Sequence, residues 1–196
     1  DVRTGAEERG EKIFGTEPRP RAGRRERETV SMTEPRFAAG PEDLVTREEL
    51  AGMSGLDFIR GMLEGRLPHP PIAGPMGMRL IEAEAGRVVF EAVPGFRHYN
   101  PLGAVHGGWF GTVLDSAGSC AVQTMLPAGQ GYTTLEYKVN MLRAVSLEAG
   151  ALHVTGEVLR VGRRTGVAEA RVADAFGRSY ATGLVTCLVF DLEEEA

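Results

Sequence analysis

Hydrophobic and polar positions change rhythm three times along the chain. Between residues 41 and 66, Leu56, Ile59, Met62 and Leu63 recur at helical spacing, the stripe of a helix with one buried face. Thr46 followed by Glu49, and Ser54 followed by Asp57, carry capping-box spacing. Two short helices are expected there. The run from Pro68 to Pro75 (PHPPIAGP) then forbids regular structure and reads as a linker or a strap lying on the domain. Near Met76 the period drops to two. MRLIEAEAGRVVFEAV predicts a hairpin turning near Ala85–Gly86. The helical period returns in VHGGWFGTVLDSAGSCAVQTML, where Val113, Leu114, Ala117, Ala121, Val122 and Met125 share one face and Pro127 and Gly129 close the run. Alternation resumes over Tyr132–Arg143, Ala151–Val161, Val167–Asp174 and Tyr180–Asp191, with turn signals at 147–150, 162–166 and 176–178.

Two strands, one long helix and four strands form an α+β pattern. A doubly wound parallel fold needs more helices, so an antiparallel sheet wrapping one long helix fits the count. Gly107, Gly108, Gly111 and Gly118 each cost about 1 kcal/mol of helix propensity. Their presence predicts a helix pressed closely against another surface.

Composition narrows the function. The chain has 196 residues, a net charge of −5 and a pI near 5.5, so it offers no global basic field for nucleic acid or an anionic membrane. No apolar run reaches the length of a membrane span. Cys120 and Cys187 sit among apolar neighbours without metal-ligand spacing. They read as buried, reduced thiols of a cytoplasmic protein, with no metal site expected. Residues 1–40 divide from the rest. The first 31 are dense in Arg and Glu with few large apolar residues, too little to offset the entropy of ordering. Met32 is a candidate natural start, with 1–31 a non-native leader; the other reading is a disordered tail. Residues 41–69 are then a short helical extension, and 70–192 the main domain.

The run NPLGAVHGGWFGTVLD, residues 100–115, carries a spaced set: Asn100, Gly103, His106-Gly107-Gly108 and Asp115. With the helix and the later GYTTLEYKVNMLRAV, it resembles the signature of hotdog-fold thioesterases. The phenylacetic-acid-degradation type and the Arthrobacter-type 4-hydroxybenzoyl-CoA thioesterases are the groups it is most similar to. The resemblance covers roughly residues 70–190. It implies a hotdog fold and hydrolysis of an acyl-CoA thioester to acid and CoA, without metal or redox cofactor. It also implies roles. The Gly107 backbone N–H would face the thioester carbonyl, with Gly108 beside it. Asn100 and His106 would shape that site, and Asp115 would be nucleophile or general base. Ser119 would assist the carboxylate or its water. Thr134, or the adjacent Thr133, would position water. Arg163 and Arg164 in the GRRTG turn, and Arg143, are candidates for CoA phosphates. His106 reads equally well as a purely structural residue, and Trp109 and Phe110 as core. Glu136 alternates with Thr134 and Lys138 on one strand face; it reads as exposed or cross-strand paired rather than as a second acid. His69 and His153 have no partner pattern.

Elementary chemistry agrees with such a site. Thioester hydrolysis develops negative charge on the carbonyl oxygen, and a helix N-terminus offers unpaired N–H donors and partial positive charge. A nearby carboxylate can attack or deprotonate water, and burial makes it a stronger base. Gly107 and Asp115 are eight residues apart, about 12 Å and about 80° on one helix. One helix cannot bring both to a single carbonyl, but two helices related by a two-fold axis can. If the catalytic reading holds, a homodimer with composite sites is therefore expected, and a homotetramer is expected alongside the resemblance. The alternative is a non-catalytic hotdog protein that binds acyl-CoA as a sensor. No GxSxG elbow, GxGxxG or P-loop occurs.

Overall fold

A computed structural model describes residues 35–192; the expectations for residues 1–31 and for Met32 lie outside them. Helices α1 (Arg47–Ala51), α2 (Gly55–Leu63) and α3 (Ala73–Met76) precede the hairpin β1 (Met78–Glu84) and β2 (Arg87–Ala92). The long helix α4 (Gly107–Gln123) follows, then β3 (Gln130–Met141), β4 (Leu152–Val161), β5 (Thr165–Ala173) and β6 (Ser179–Asp191). The strands form one antiparallel sheet in the order β1-β2-β4-β5-β6-β3, with β1 and β3 at its edges. The sheet wraps α4, whose Val113, Leu114, Ala117, Ala121 and Val122 are fully buried against it. This is the α+β arrangement expected from the pattern.

Local chemistry explains the boundaries. Thr46 caps α1 with a complete capping box to Glu49. Ser54 accepts the Asp57 N–H, but its hydroxyl also donates to the Asp57 carboxylate at 2.6 Å, so the second cap differs from the expected box. The proline-rich run is not wholly irregular: α3 starts inside it at Ala73, because a proline in the first turn of a helix forfeits no helical hydrogen bond. Gly86 closes the β1–β2 turn with φ 77°, a conformation suited to glycine. Helix α4 ends earlier than expected. Thr124 turns its hydroxyl back to the Ala121 carbonyl at 2.6 Å and accepts the Gly86 N–H at 2.8 Å. Met125, placed on the buried face by spacing, is therefore beyond the helix and 46% exposed.

The close approach expected of α4 is present. A Cβ on Gly118 would lie 2.5 Å from Val185 Cγ2 of β6, and one on Gly107 would lie 2.7 Å from Met141 Cε of β3. Strand β3 carries a bulge between Thr134 and Glu136. Before it, Tyr132 pairs with Val189 and Thr134 with Cys187; after it, Tyr137 pairs with Val185 and Met141 with Ala181. Those partners on β6 are all buried on the helix-facing side. The inward positions of β3 thus switch from even to odd residues.

Candidate functional site

The loop entering α4 is built by its own polar groups. The Asn100 Oδ1 accepts the N–H groups of Leu102 and Ala104 at 2.9 and 3.2 Å. His98 is buried; its Nδ1 accepts the Gly95 N–H at 2.8 Å and its Nε2 lies 2.6 Å from the Pro75 carbonyl. His106 is the N-cap of α4, its Nδ1 accepting the Gly108 N–H at 2.9 Å. The Gly107 N–H has no acceptor among the described residues. It is a free donor at the positive end of a 17-residue helix. Trp109 and Phe110 are core, each 3% exposed and in edge-to-face contact at 5.2 Å.

Asp115 belongs to a different place. It lines a cavity of about 460 Å³ together with Ser116, Ser119 and Cys120 of α4 and Tyr132 and Thr134 of β3. The Thr134 hydroxyl donates to Asp115 Oδ1 at 2.9 Å. Partial burial pushes the Asp115 carboxyl above its usual range, and the Thr134 bond partly opposes that rise. Ser119 is 5% exposed; it accepts the Tyr132 hydroxyl at 3.2 Å and donates to the Ser116 carbonyl at 3.5 Å. Among the described residues no hydrogen bond joins Ser119 to Asp115. Burial raises the Cys120 thiol to about 12 and the Cys187 thiol to about 11. Both stay protonated near neutral pH and are poor nucleophiles.

The chain thus brings Asp115, Ser119 and Thr134 together and leaves Asn100, His106, Gly107 and Gly108 at the other end of α4. Thr133 is exposed on the outer face, so of the two adjacent threonines Thr134 reaches the carboxylate. The bulge also overturns the expected sharing of a face by Thr134 and Glu136: Glu136 pairs with Thr186 on the outer side and is exposed. Arg143, Arg163 and Arg164 are exposed, the last two in the β4–β5 turn, and none touches the cavity. Sequence reasoning missed Tyr132, although it stands two residues before Thr134 on the same strand face. It also missed the opposite wall of the cavity, which comes from residues 44–73, and His69 within it. His69 is 3% exposed, its ring lies 5.7 Å from that of Phe37, and its Nδ1 has no hydrogen-bond partner among the described residues.

Residues 102–181 match the family model of the thioesterase superfamily. A protein of Halobacterium salinarum named as an esterase is 36% identical over 96 residues, covering 45% of this chain. The chain spans 62% of that relative's length. A phenylacetic acid degradation-related protein of Ralstonia eutropha JMP134 superposes with a TM-score of 0.61 at 28% identity, over 67% of this chain and 98% of that one. A hypothetical thioesterase protein of Streptococcus pneumoniae, crystallised with coenzyme A, superposes with a TM-score of 0.53 at 25% identity, over 58% and 86% of the two chains. The described domain shares the hotdog fold of these structures, and its residues 102–181 are similar to the thioesterase superfamily.

Proposed function

We propose that the protein hydrolyses an acyl-CoA thioester to free acid and CoA, with Asp115 as nucleophile or general base. The observation that carries this is the environment of Asp115: a carboxylate half-buried in an apolar cavity, made more basic by that burial, and held at 2.9 Å by the Thr134 hydroxyl. Attack by Asp115 on the carbonyl carbon would release CoA as thiolate and leave an acyl–carboxylate anhydride for water to open. In the alternative route Asp115 takes a proton from water, which attacks directly. Either route needs a donor for the carbonyl oxygen. The uncommitted Gly107 N–H at a helix start has that character, but on its own helix it lies about 12 Å from Asp115. The donor therefore comes from a second copy of the chain. Support for that copy lies along β3. It is an edge strand, and its Leu135, Tyr137 and Met141 are 57%, 48% and 56% exposed, an apolar, unpaired edge of the kind proteins cover. His106 and Asn100 act by holding the Gly107 loop in shape.

Arg163, Arg164 and Arg143 remain the cations offered to the CoA phosphates. Side chains and backbone supply all the chemistry of this scheme, and no cofactor beyond the CoA of the substrate enters it. Two free thiols fit action in the cytoplasm; among the described residues no helix is long and apolar enough to cross a membrane. We read the assembly as a homodimer paired into a tetramer. Release of CoA thiol from a panel of acyl-CoAs tests the activity. Replacing Asp115 by Asn or Ala is expected to lower it by about 10²–10⁴-fold. Undiminished hydrolysis by a folded variant would overturn the assignment.

A further inference from the structure

The cavity beside Asp115 has a second wall that the family match at 102–181 does not include. Leu50, Phe58, Met62, Pro68 and Ile72 face it from α1, α2 and the strap before β1. This wall is fixed in place. The Gly55 N–H donates to the Leu126 carbonyl at 3.0 Å, docking the start of α2 on the end of α4. His69 pairs with residues 36–38 through two backbone bonds, His69 N–H to Arg36 at 2.7 Å and Ala38 N–H to His69 at 3.0 Å. The volume of this open cavity, about 460 Å³, lies within the usual range of about 300–1,000 Å³ for small-molecule sites.

The charge of the lining is as informative as its shape. Among the described residues no Lys or Arg faces the cavity. Burial keeps His69 uncharged at neutral pH by lowering its pKa, and keeps Tyr132 and Cys120 protonated by raising theirs. Among the described lining residues Asp115 is the one charge. A second carboxylate on the acyl group would enter an apolar space facing like charge with no counter-ion, a costly arrangement. A hydrocarbon chain meets only favourable contacts.

We propose that residues 44–73 form the acyl-binding wall of this protein, that the acyl group it takes is a neutral apolar chain lodged within one subunit, and that Phe58 and Met62 set the length that fits. This rests on the thioesterase reading above. Phe58 approaches from the middle of α2, and Met62, one turn later, is 6% exposed beside it. Trimming either lengthens the cavity on the side away from α4, and enlarging Phe58 shortens it.

The test is kcat/KM for straight-chain acyl-CoAs from acetyl to dodecanoyl, with succinyl-CoA matched against butyryl-CoA. Each methylene lodged in the wall is expected to raise kcat/KM about fourfold until the cavity is full. Phe58→Ala and Met62→Ala should move that plateau to longer chains, and Phe58→Trp to shorter ones, in proteins whose thermal melts show them folded. Succinyl-CoA should fall at least about 100-fold below butyryl-CoA. A plateau that stays put in all three variants, or succinyl-CoA turning over as fast as butyryl-CoA, overturns the proposal. Titration calorimetry with non-hydrolysable S-alkyl-CoA thioethers separates the two readings. If no thioester is hydrolysed but thioether affinity still tracks chain length and shifts in Phe58→Ala, the wall stands and the hydrolase reading falls. Affinity independent of chain length removes the wall whatever the activity.

Discussion

Replacing Thr134 by Val removes one hydroxyl and keeps the side chain's shape. That hydroxyl gives Asp115 Oδ1 its hydrogen bond at 2.9 Å. Hydrogen bonds to charged groups contribute about 1.5–3 kcal/mol. Because Asp115 is partly open to the cavity mouth, the lower end applies, about 1.5 kcal/mol, or roughly tenfold in an equilibrium. The loss falls on the ionised carboxylate, since the neutral acid depends less on the donor. Desolvation then acts unopposed, so the Asp115 pKa moves further upward. If ionised Asp115 does the chemistry, the acid limb of the kcat/KM profile should shift to higher pH. Activity on that limb should fall about tenfold, and the gap should close on the alkaline side. The assay is initial rates of CoA release across about pH 5 to 9, with Thr134→Ser as control; its retained hydroxyl should restore the wild-type limb. A uniform loss at every pH with an unmoved limb would refute the reasoning, as would a serine variant that behaves like valine.

Three further outcomes are expected. Asp115→Asn should be inactive yet more heat-stable at neutral pH. The folded carboxyl has a raised pKa, so the native state binds its proton more tightly than the unfolded chain, and the wild type loses stability as pH rises through that range. Melting curves should show the advantage vanish below the ordinary carboxylate pKa of about 3.9. Gly118→Ala should destabilise by about 1–3 kcal/mol, read in denaturant melts, because its Cβ would crowd Val185. Mixing inactive Asp115→Asn with inactive Gly107→Val, under conditions that exchange subunits, should restore part of the wild-type rate, because one of the two sites in the mixed dimer is whole; no recovery despite exchange speaks against a shared site.

Much of the fold was legible in the chain because its signals are local. Alternation marks each strand, Ala85–Gly86 marks the hairpin, and the glycines of α4 announce the closeness of Val185 and Met141. Asp115 was legible as a candidate through the spaced motif, and Thr134, or its neighbour Thr133, through the GYTTLEYKVNMLRAV segment that follows. What escaped depends on contacts distant in sequence. The end of α4 is set by Gly86 bonding to Thr124, which no helical spacing reveals. The bulge in β3 interrupts an alternation that Thr134, Glu136 and Lys138 continue in sequence, because one extra residue leaves composition unchanged while reversing direction. The wall at 44–73 needs α2 docked on Leu126 and His69 held by Arg36 before its apolar residues face anything. His69 had no partner in sequence, and its Nδ1 has none among the described residues.

The bulge at Leu135 works as a change of phase within one strand. Ahead of it, even-numbered residues address the chemistry: Tyr132 reaches Ser119 and Thr134 reaches Asp115. Behind it, odd-numbered residues address the start of the helix, where Tyr137 lies over Gly111 and Met141 over Gly107. Substitutions at Leu135 leave both frames intact, and so would deleting it, because Thr134 and Glu136 already pair with the adjacent Cys187 and Thr186 of β6. Straightening the bulge with its residue kept would instead turn Glu136, Lys138 and Asn140 toward the glycines of α4, and Tyr137 and Met141 toward solvent. At its present length the strand therefore serves both ends of the helix only because one residue stands out of the ladder.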